Sequence, residues 1–254
     1  MKQSGVQVNG INKKFGKSQV LFDISLDISQ GTIFGLIGPS GCGKSTLVKI
    51  IAGILGKYVG TVHVNGMKMP SRKALFEVGY MAQAAALYPT LTGKENLKFF
   101  GNLYGIKGKE LQDRIESLAS LVDLSDALQK RAENYSGGMK QRLSLACALI
   151  ANPKVLILDE PTVGIDPVLR QEIWAELRDL AQNGVTILIT THVMDEAEKC
   201  DSLAMMREGH ILAVGSATDL IQQAGARNFE EAFIHFGAKG GEKHENESDN
   251  NANH

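Results

Sequence analysis

Apolar and polar side chains alternate along the first thirty residues. Phe22, Ile24, Leu26 and Ile28 are separated by Asp23, Ser25 and Asp27, the two-residue period of a strand with one buried face. This stretch predicts antiparallel strands. A continuous apolar strand follows at residues 32–37, then a cluster of glycines, then an apolar helix over residues 47–55. Residues 61–64 read as a further strand closed by Asn65-Gly66, a pair suited to a tight hairpin turn. Val78–Met81 reads as the next strand.

From about residue 91 to 150 the period changes to that of helices. Thr92 and Glu95 have capping-box spacing, and Leu111, Ile115, Leu118 and Val122 recur at helical intervals. Ser136-Gly137-Gly138 opens another helix, with Met139, Leu143, Ala146 and Ile150 on one face and Pro153 as its stop. Apolar strands return at residues 155–158, 185–190, 202–206 and 210–214. Asp166-Pro167 supplies a helix cap and a first-turn proline, and Asn183-Gly184 ends that helix. The pattern predicts an α/β core over residues 1–236, with an antiparallel β subdomain at its start and a helical lobe inserted at about 91–151. The polar tail, 237–254, holds too few apolar residues to offset its ordering entropy and is expected to be disordered.

Composition narrows the class. Apolar residues make up 43 % and charged residues 22 % of the chain, with a net charge of −1. That balance does not suit a protein that coats nucleic acid, and none is expected as a partner. No apolar run approaches the roughly 18 residues of a spanning helix. The N-terminus lacks a basic-then-apolar leader pattern. Cys42, Cys147 and Cys200 show no paired spacing. They are expected as free thiols in a reducing cytoplasm.

Two segments carry chemistry. Gly38-Pro39-Ser40-Gly41-Cys42-Gly43-Lys44-Ser45-Thr46 matches the pattern of a phosphate-binding loop. Glycines let backbone N–H groups curl around phosphates, and the next helix adds its N-terminal dipole. Lys44 is expected at the β- and γ-phosphates and Ser45 on Mg²⁺. The strand at 155–158 delivers Asp159 and Glu160 to the sheet edge where ligands sit in open α/β folds. Asp159 can complete a Mg²⁺ shell with Ser45, and Glu160 can polarise an attacking water.

Ser136-Gly137-Gly138, preceded by Tyr135 and followed by Met139-Lys140-Gln141-Arg142, resembles the signature motif of ATP-binding-cassette (ABC) ATPases. Its place shortly before the Asp159-Glu160 strand fits that family. The resemblance spans residues 6 to about 222 and implies a P-loop NTPase core of the RecA-like kind. It assigns Gln83 to the lid glutamine that senses Mg²⁺ and the attacking water. It assigns Asp166, in Gly164-Ile165-Asp166, to a dimer-contact loop, His192 to the switch histidine, and Phe15 to an aromatic platform for adenine. It further implies a head-to-tail dimer, of this chain with itself or with a related cassette, in which each signature contacts ATP held by the other chain.

Leu87-Tyr88-Pro89-Thr90-Leu91-Thr92 and Thr190-Thr191-His192-Val193-Met194-Asp195-Glu196-Ala197-Glu198 are similar to single-cassette subunits of multidrug, ABC-2 type exporters. The expectation is an ATP- and Mg²⁺-dependent ATPase that powers a separate membrane permease from the cytoplasmic face of the cell membrane. Tyr135 and Met139 depart from the commoner signature, and Ala82 stands where a proline is usual. Three rivals are weighed. A soluble ABC ATPase of translation or DNA repair would carry a second cassette or a long coiled coil, and neither is present. A GTPase would carry an Asn-Lys-x-Asp motif. A non-hydrolysing module would have lost Lys44, Asp159, Glu160 or His192.

Overall fold

The computed structural model describes residues 3–238 of the 254. Two sheets organise the chain. The first is antiparallel, with order β2-β1-β4-β5, built from β1 (Ser4–Phe15), β2 (Ser18–Ser29), β4 (Val59–Val64) and β5 (Met67–Lys68). Val6, Val8 and Ile11 of β1 and Ile24, Leu26 and Ile28 of β2 are buried, so from Ile24 on the alternation read along the chain is that of two faces; Phe22 falls outside it, because Asp23 takes φ 47° and Leu21 is buried instead. Asn65 and Gly66 both take positive φ, 46° and 75°, and close the β4–β5 hairpin as that dipeptide favours.

The second sheet has order β10-β9-β3-β8-β7-β6. Its members are β3 (Ile33–Ile37), β6 (Val78–Met81), β7 (Val155–Asp159), β8 (Thr186–Thr191), β9 (Ser202–Arg207) and β10 (His210–Gly215). All neighbours run parallel except the β9–β10 hairpin. Every residue of β3, β7 and β8 is buried, which is why these strands read as unbroken apolar runs rather than as alternations. Helix α1 (Lys44–Ile51) follows β3 directly, and a short α2 (Arg72–Leu75) precedes β6. Helix α1 begins three residues before the apolar run that marks it in sequence, because its first turn is made of the phosphate-loop residues themselves.

The inserted lobe holds α3 (Gly93–Leu103), α4 (Gly108–Leu121) and α5 (Gly137–Leu149). Thr92 and Glu95 form the expected capping box on α3. Helix α5 departs from the expected single apolar face. Every residue from Leu143 to Leu149 is buried, because the helix is wedged between α3 and α4 on one side and β6 and β7 on the other. One hydrophobic cluster runs unbroken from lobe residues such as Leu111 and Ile115 through α5 to Leu156 and Ile189 of the sheet. The lobe therefore shares a core with the sheet that carries the site.

Helix α6 (Pro167–Gln182) leads into β8; α7 (Met194–Ala197), α8 (Ala217–Ala224) and a terminal helix over residues 229–238 come after it. Of the tail expected to be disordered, residues 237 and 238 continue this helix; residues 239–254 lie outside the described part of the chain. Among the described residues no helix is long and apolar enough to cross a membrane, and the three cysteines are buried and unpaired.

Candidate functional site

The loop between β3 and α1 is held in shape from behind. A Cβ on Gly38 would lie 2.1 Å from the carbonyl oxygen of Met206 on β9, and Gly43 takes φ +109°; no other residue type meets both demands. The Gly209 N–H donates to the Cys42 carbonyl at 2.9 Å, so the β9–β10 turn braces the loop. Lys44 is buried, and its Nζ donates to the carbonyls of Gly38 and Pro39 at 2.7 and 2.9 Å. A cleft of about 220 Å³ opens here, lined by Val20, Ser40, Gly41, Gly43, Lys44, Ser45, Thr46, Gln83 and Glu160.

Strand β7 brings the acidic pair to this cleft. Asp159 is buried. Its Oδ1 accepts from Thr190 Oγ1 at 2.6 Å and from Ser45 Oγ at 3.3 Å. Its Oδ2 is buried with no hydrogen-bond partner. A buried carboxylate oxygen without a partner is costly unless a cation meets it, and Ser45 and Asp159 offer the hard oxygen ligands that Mg²⁺ takes. The residues present therefore fit the ion. Among the described residues no cluster of three or more His, Cys, Asp or Glu could hold a metal by itself, in keeping with a Mg²⁺ that shares its shell with substrate phosphates.

Glu160 sits just past the strand in the left-handed region, φ +55°, a conformation that costs a non-glycine residue about 1 kcal/mol. The turn is held by its N–H, which donates to Thr190 Oγ1 at 3.0 Å and Thr190 O at 3.1 Å, and by its carbonyl, which accepts from Gln141 Nε2 at 3.0 Å. The carboxylate is aimed between two other expected site residues. Gln83 Nε2 donates to Oε2 at 3.1 Å, and His192 Nδ1 lies 3.3 Å from Oε1. Three residues separated by 77 and 32 positions in sequence thus meet at one point, because parallel strands β6, β7 and β8 end side by side.

The other expected residues stand apart from the cleft. Phe15 ends β1 with its ring half exposed, and Lys13 Nζ lies 4.8 Å from the ring centre. Ser136 caps α5 by accepting from the Met139 N–H at 3.2 Å, while Gly137 faces open space and a Cβ on Gly138 would stand 3.0 Å from the Gly164 carbonyl. Asp166 caps α6, its Oδ1 accepting from Val168 and Leu169 N–H at 3.1 and 3.0 Å. Within one chain, neither the signature segment nor Asp166 lines the cleft.

Sequence reading missed the residues that hold these groups in place. Thr190 bonds both acids, yet its place at the head of segment 190–198 says nothing of that role. Gln141 is one helical turn beyond the signature, and Val20 resembles any β-strand valine. Asn96 is fully buried. It pins the turn before α3 with four bonds, accepting from Tyr88 N–H and donating to the carbonyls of Tyr88, Leu91 and Thr92. An asparagine four residues after the capping-box threonine Thr92, inside the helix it caps, was the available signal for it.

Residues 21–163 match the family described as "ABC transporter". The chain belongs to that family. It carries the ATP-binding cassette of that family. Among its relatives, the "Probable multidrug ABC transporter ATP-binding protein YbhF" of Escherichia coli is 37 % identical over 249 residues, which cover 95 % of this chain but 43 % of that protein. The chain thus spans less than half of that relative's length. The linearmycin resistance ATP-binding protein LnrL of Bacillus subtilis is 38 % identical over 223 residues, 87 % of this chain and 72 % of that one. The Nod factor export ATP-binding protein I of Rhizobium meliloti is 40 % identical over 221 residues, 86 % of this chain and 66 % of that one. These names speak of resistance and export, and not of translation or repair. A solved ATP-binding subunit of an ABC transporter superposes with a TM-score of 0.85 at 28 % identity, covering 91 % of this chain and 98 % of that one. A dimeric cassette in a post-hydrolysis state, bound to ADP and phosphate, superposes with a TM-score of 0.76 at 25 % identity, covering 83 % of this chain and 98 % of that one.

Proposed function

We propose that this cassette hydrolyses ATP at the cleft beside the phosphate loop and uses the cycle to drive a separate membrane permease in export. The observation that carries the site assignment is the meeting of Gln83, Glu160 and His192 around one carboxylate at the mouth of that loop. Backbone N–H groups of residues 38–46 cradle the phosphates, and Lys44 exchanges its loop carbonyls for the β- and γ-oxygens. Ser45, Asp159 and Gln83 would hold Mg²⁺, which would supply neutralising charge to the phosphates. Glu160 accepts a proton from the attacking water. His192 holds the far side of that carboxylate and faces the γ-phosphate, and Gln83 links the same carboxylate to the lid at residues 83–92. Phe15 offers the free face of its ring to adenine.

The cleft is completed by a second cassette packed head to tail, itself or a related chain. That reading is supported by open Gly137 at the start of α5 and by exposed Val163 and Val168 on either side of Asp166. The permease contact is proposed at residues 83–92. There exposed Tyr88 stacks edge-on against Phe99 at 4.5 Å, and a small cleft lined by Ala82, Ala86, Phe100 and Tyr104 opens alongside. The cassette would then lie on the cytoplasmic face of the membrane, and of a drug, a lipid or a peptide as cargo the relatives' names, which speak of multidrug transport and resistance, favour a drug.

The test is Glu160→Gln in the full chain. Nucleotide binding should persist, turnover should fall by a factor on the order of 10² to 10⁴ as for loss of a general base, and ATP should drive a doubling of mass in gel filtration. Turnover at the wild-type rate would remove Glu160 from the mechanism. Co-purification of a polytopic membrane protein from mild detergent tests the permease.

A further inference from the structure

Two carboxylates are buried among the described acidic residues, Asp159 and Glu196. Asp159 has its task at the phosphates. Glu196 touches no part of the cleft, and among the described residues no basic group pairs with it. Burying a carboxylate costs several kcal/mol unless its oxygens are well bonded. Both are: Oε1 accepts from Thr162 Oγ1, and Oε2 accepts from Thr191 Oγ1 at 2.7 Å. Both threonines are themselves buried.

The two threonines belong to different catalytic segments. Thr162 lies two residues beyond Glu160, at the start of the loop that leads to Gly164 and Asp166. Thr191 immediately precedes His192, and its hydroxyl also accepts the Val193 N–H at 3.0 Å. His192 is thus held on both sides by a chain of bonds that ends on Glu196. Upstream the two segments are zipped by the parallel pairing of β7 and β8, which ends at Asp159 and Thr190, and by the Glu160 N–H bonds to Thr190. Past that point they diverge, and besides the His192–Glu160 contact itself it is the two-oxygen acceptor of Glu196 that ties them. A carboxylate suits the place because it obliges both hydroxyls to donate to it, and such charge-assisted bonds are about twice as strong as neutral ones.

We propose that Glu196 is a positioning residue for ATP hydrolysis: it fixes the loop that follows Glu160 against the segment that carries His192, and so sets the approach between those two side chains. This rests on the reading that Glu160 and His192 act in hydrolysis. Glu196 itself meets neither nucleotide nor water, so its loss should leave ATP binding in place and slow the chemical step.

The experiment compares Glu196→Ala, Glu196→Gln, Thr162→Val, Thr191→Val and Glu160→Gln in the purified full chain, measuring kcat, KM and equilibrium ATP binding. Glu196→Ala should lower kcat by about ten- to a hundredfold, the scale of a misplacement near 1 Å, with ATP affinity changed by less than about twofold. Glu196→Gln, which keeps one accepting oxygen, should recover part of the loss. Thr162→Val and Thr191→Val should each lower kcat, and neither should add to the loss in Glu196→Ala, because the pair acts as one unit. If Glu196→Ala fails to fold, the near-isosteric Thr162→Val carries the test alone. Wild-type kcat in Thr162→Val, or parallel loss of kcat and ATP affinity in Glu196→Ala, would overturn the proposal. Wild-type turnover in Glu160→Gln would instead overturn the reading beneath it.

Discussion

A single hydroxyl, Thr190 Oγ1, donates to Asp159 Oδ1 at 2.6 Å and accepts the Glu160 N–H at 3.0 Å. It sets the orientation of the acid proposed for Mg²⁺ and of the acid proposed for water with one group. Thr190→Val keeps the shape of the side chain and removes both bonds. The expected outcome is a loss of about 1–3 kcal/mol in stability, from leaving buried partners unmet. The Mg²⁺ concentration needed for half-maximal ATPase activity should rise several-fold. A magnesium titration of steady-state rate on the variant reads this directly, and an unchanged titration curve would show that Asp159 is oriented by other means.

Cys42 lies in the phosphate loop, and the structure alters what its modification should look like. The thiol is buried beneath the loop, and that burial raises its pKa above the usual range, with Lys44 partly opposing the shift. A raised pKa means less thiolate at any given pH, and thiolate is the form that reacts. Native protein at about pH 8 should therefore alkylate far more slowly than urea-unfolded protein. ATP binding should fall in proportion to the fraction labelled. Full ATPase activity at full labelling would place Cys42 outside the binding loop.

Asn96 should matter to the lid more than to the chemistry. Asn96→Ala leaves the Tyr88 N–H without its acceptor and removes the side-chain donor from the carbonyls of Tyr88, Leu91 and Thr92, which keep their backbone donors. The expected cost is about 2 kcal/mol, a fall in Tm of roughly 4–8 °C for a domain of this size. Hydrogen exchange should speed up at residues 88–92 first. Basal ATPase activity should be retained better than permease-stimulated activity.

Helix caps give a pH signature. Glu95 bonds back to the Thr92 N–H, and this holds its carboxyl below the usual 4.5. A depressed carboxylate stabilises the fold above its unfolded pKa, and that contribution is lost as pH falls through the folded value. Melting temperatures of wild type and Glu95→Gln should therefore differ near neutral pH and converge as pH falls through the depressed folded value. A gap that stayed constant down to strongly acid pH would show that the charge is not what the cap uses.

The legible parts of this chain are those where one residue type is physically compelled. Gly38 and Gly43 announce the loop because no Cβ fits there, and the buried strands β3, β7 and β8 announce themselves by apolar runs. Gln83, Glu160 and His192 were each visible, but only as residues after strands; their meeting depends on the strand order β8-β7-β6, which periodicity does not encode. The roles of Thr190, Glu196, Asn96 and Gln141 were not visible, although three of them stand in segments that carry the family resemblance. Each is a polar side chain whose importance comes from partners far along the chain, so its local window looks like that of any strand threonine or helix glutamine. Helix α5 was misread as one-faced because a helix packed on both sides has no apolar stripe to find.

Helix α5 starts at Ser136 with its open N-terminus, and one turn later Gln141 holds the Glu160 carbonyl at 3.0 Å. In the proposed head-to-tail pair its beginning belongs to the neighbour's nucleotide and its second turn to its own. A single faulty copy of this helix would then spoil both clefts of the dimer it joins. In a cell making equal amounts of sound and defective chains that associate at random, defects of this helix should behave as poisons, disabling most assemblies, whereas a chain impaired only at Phe15 would act as a diluent.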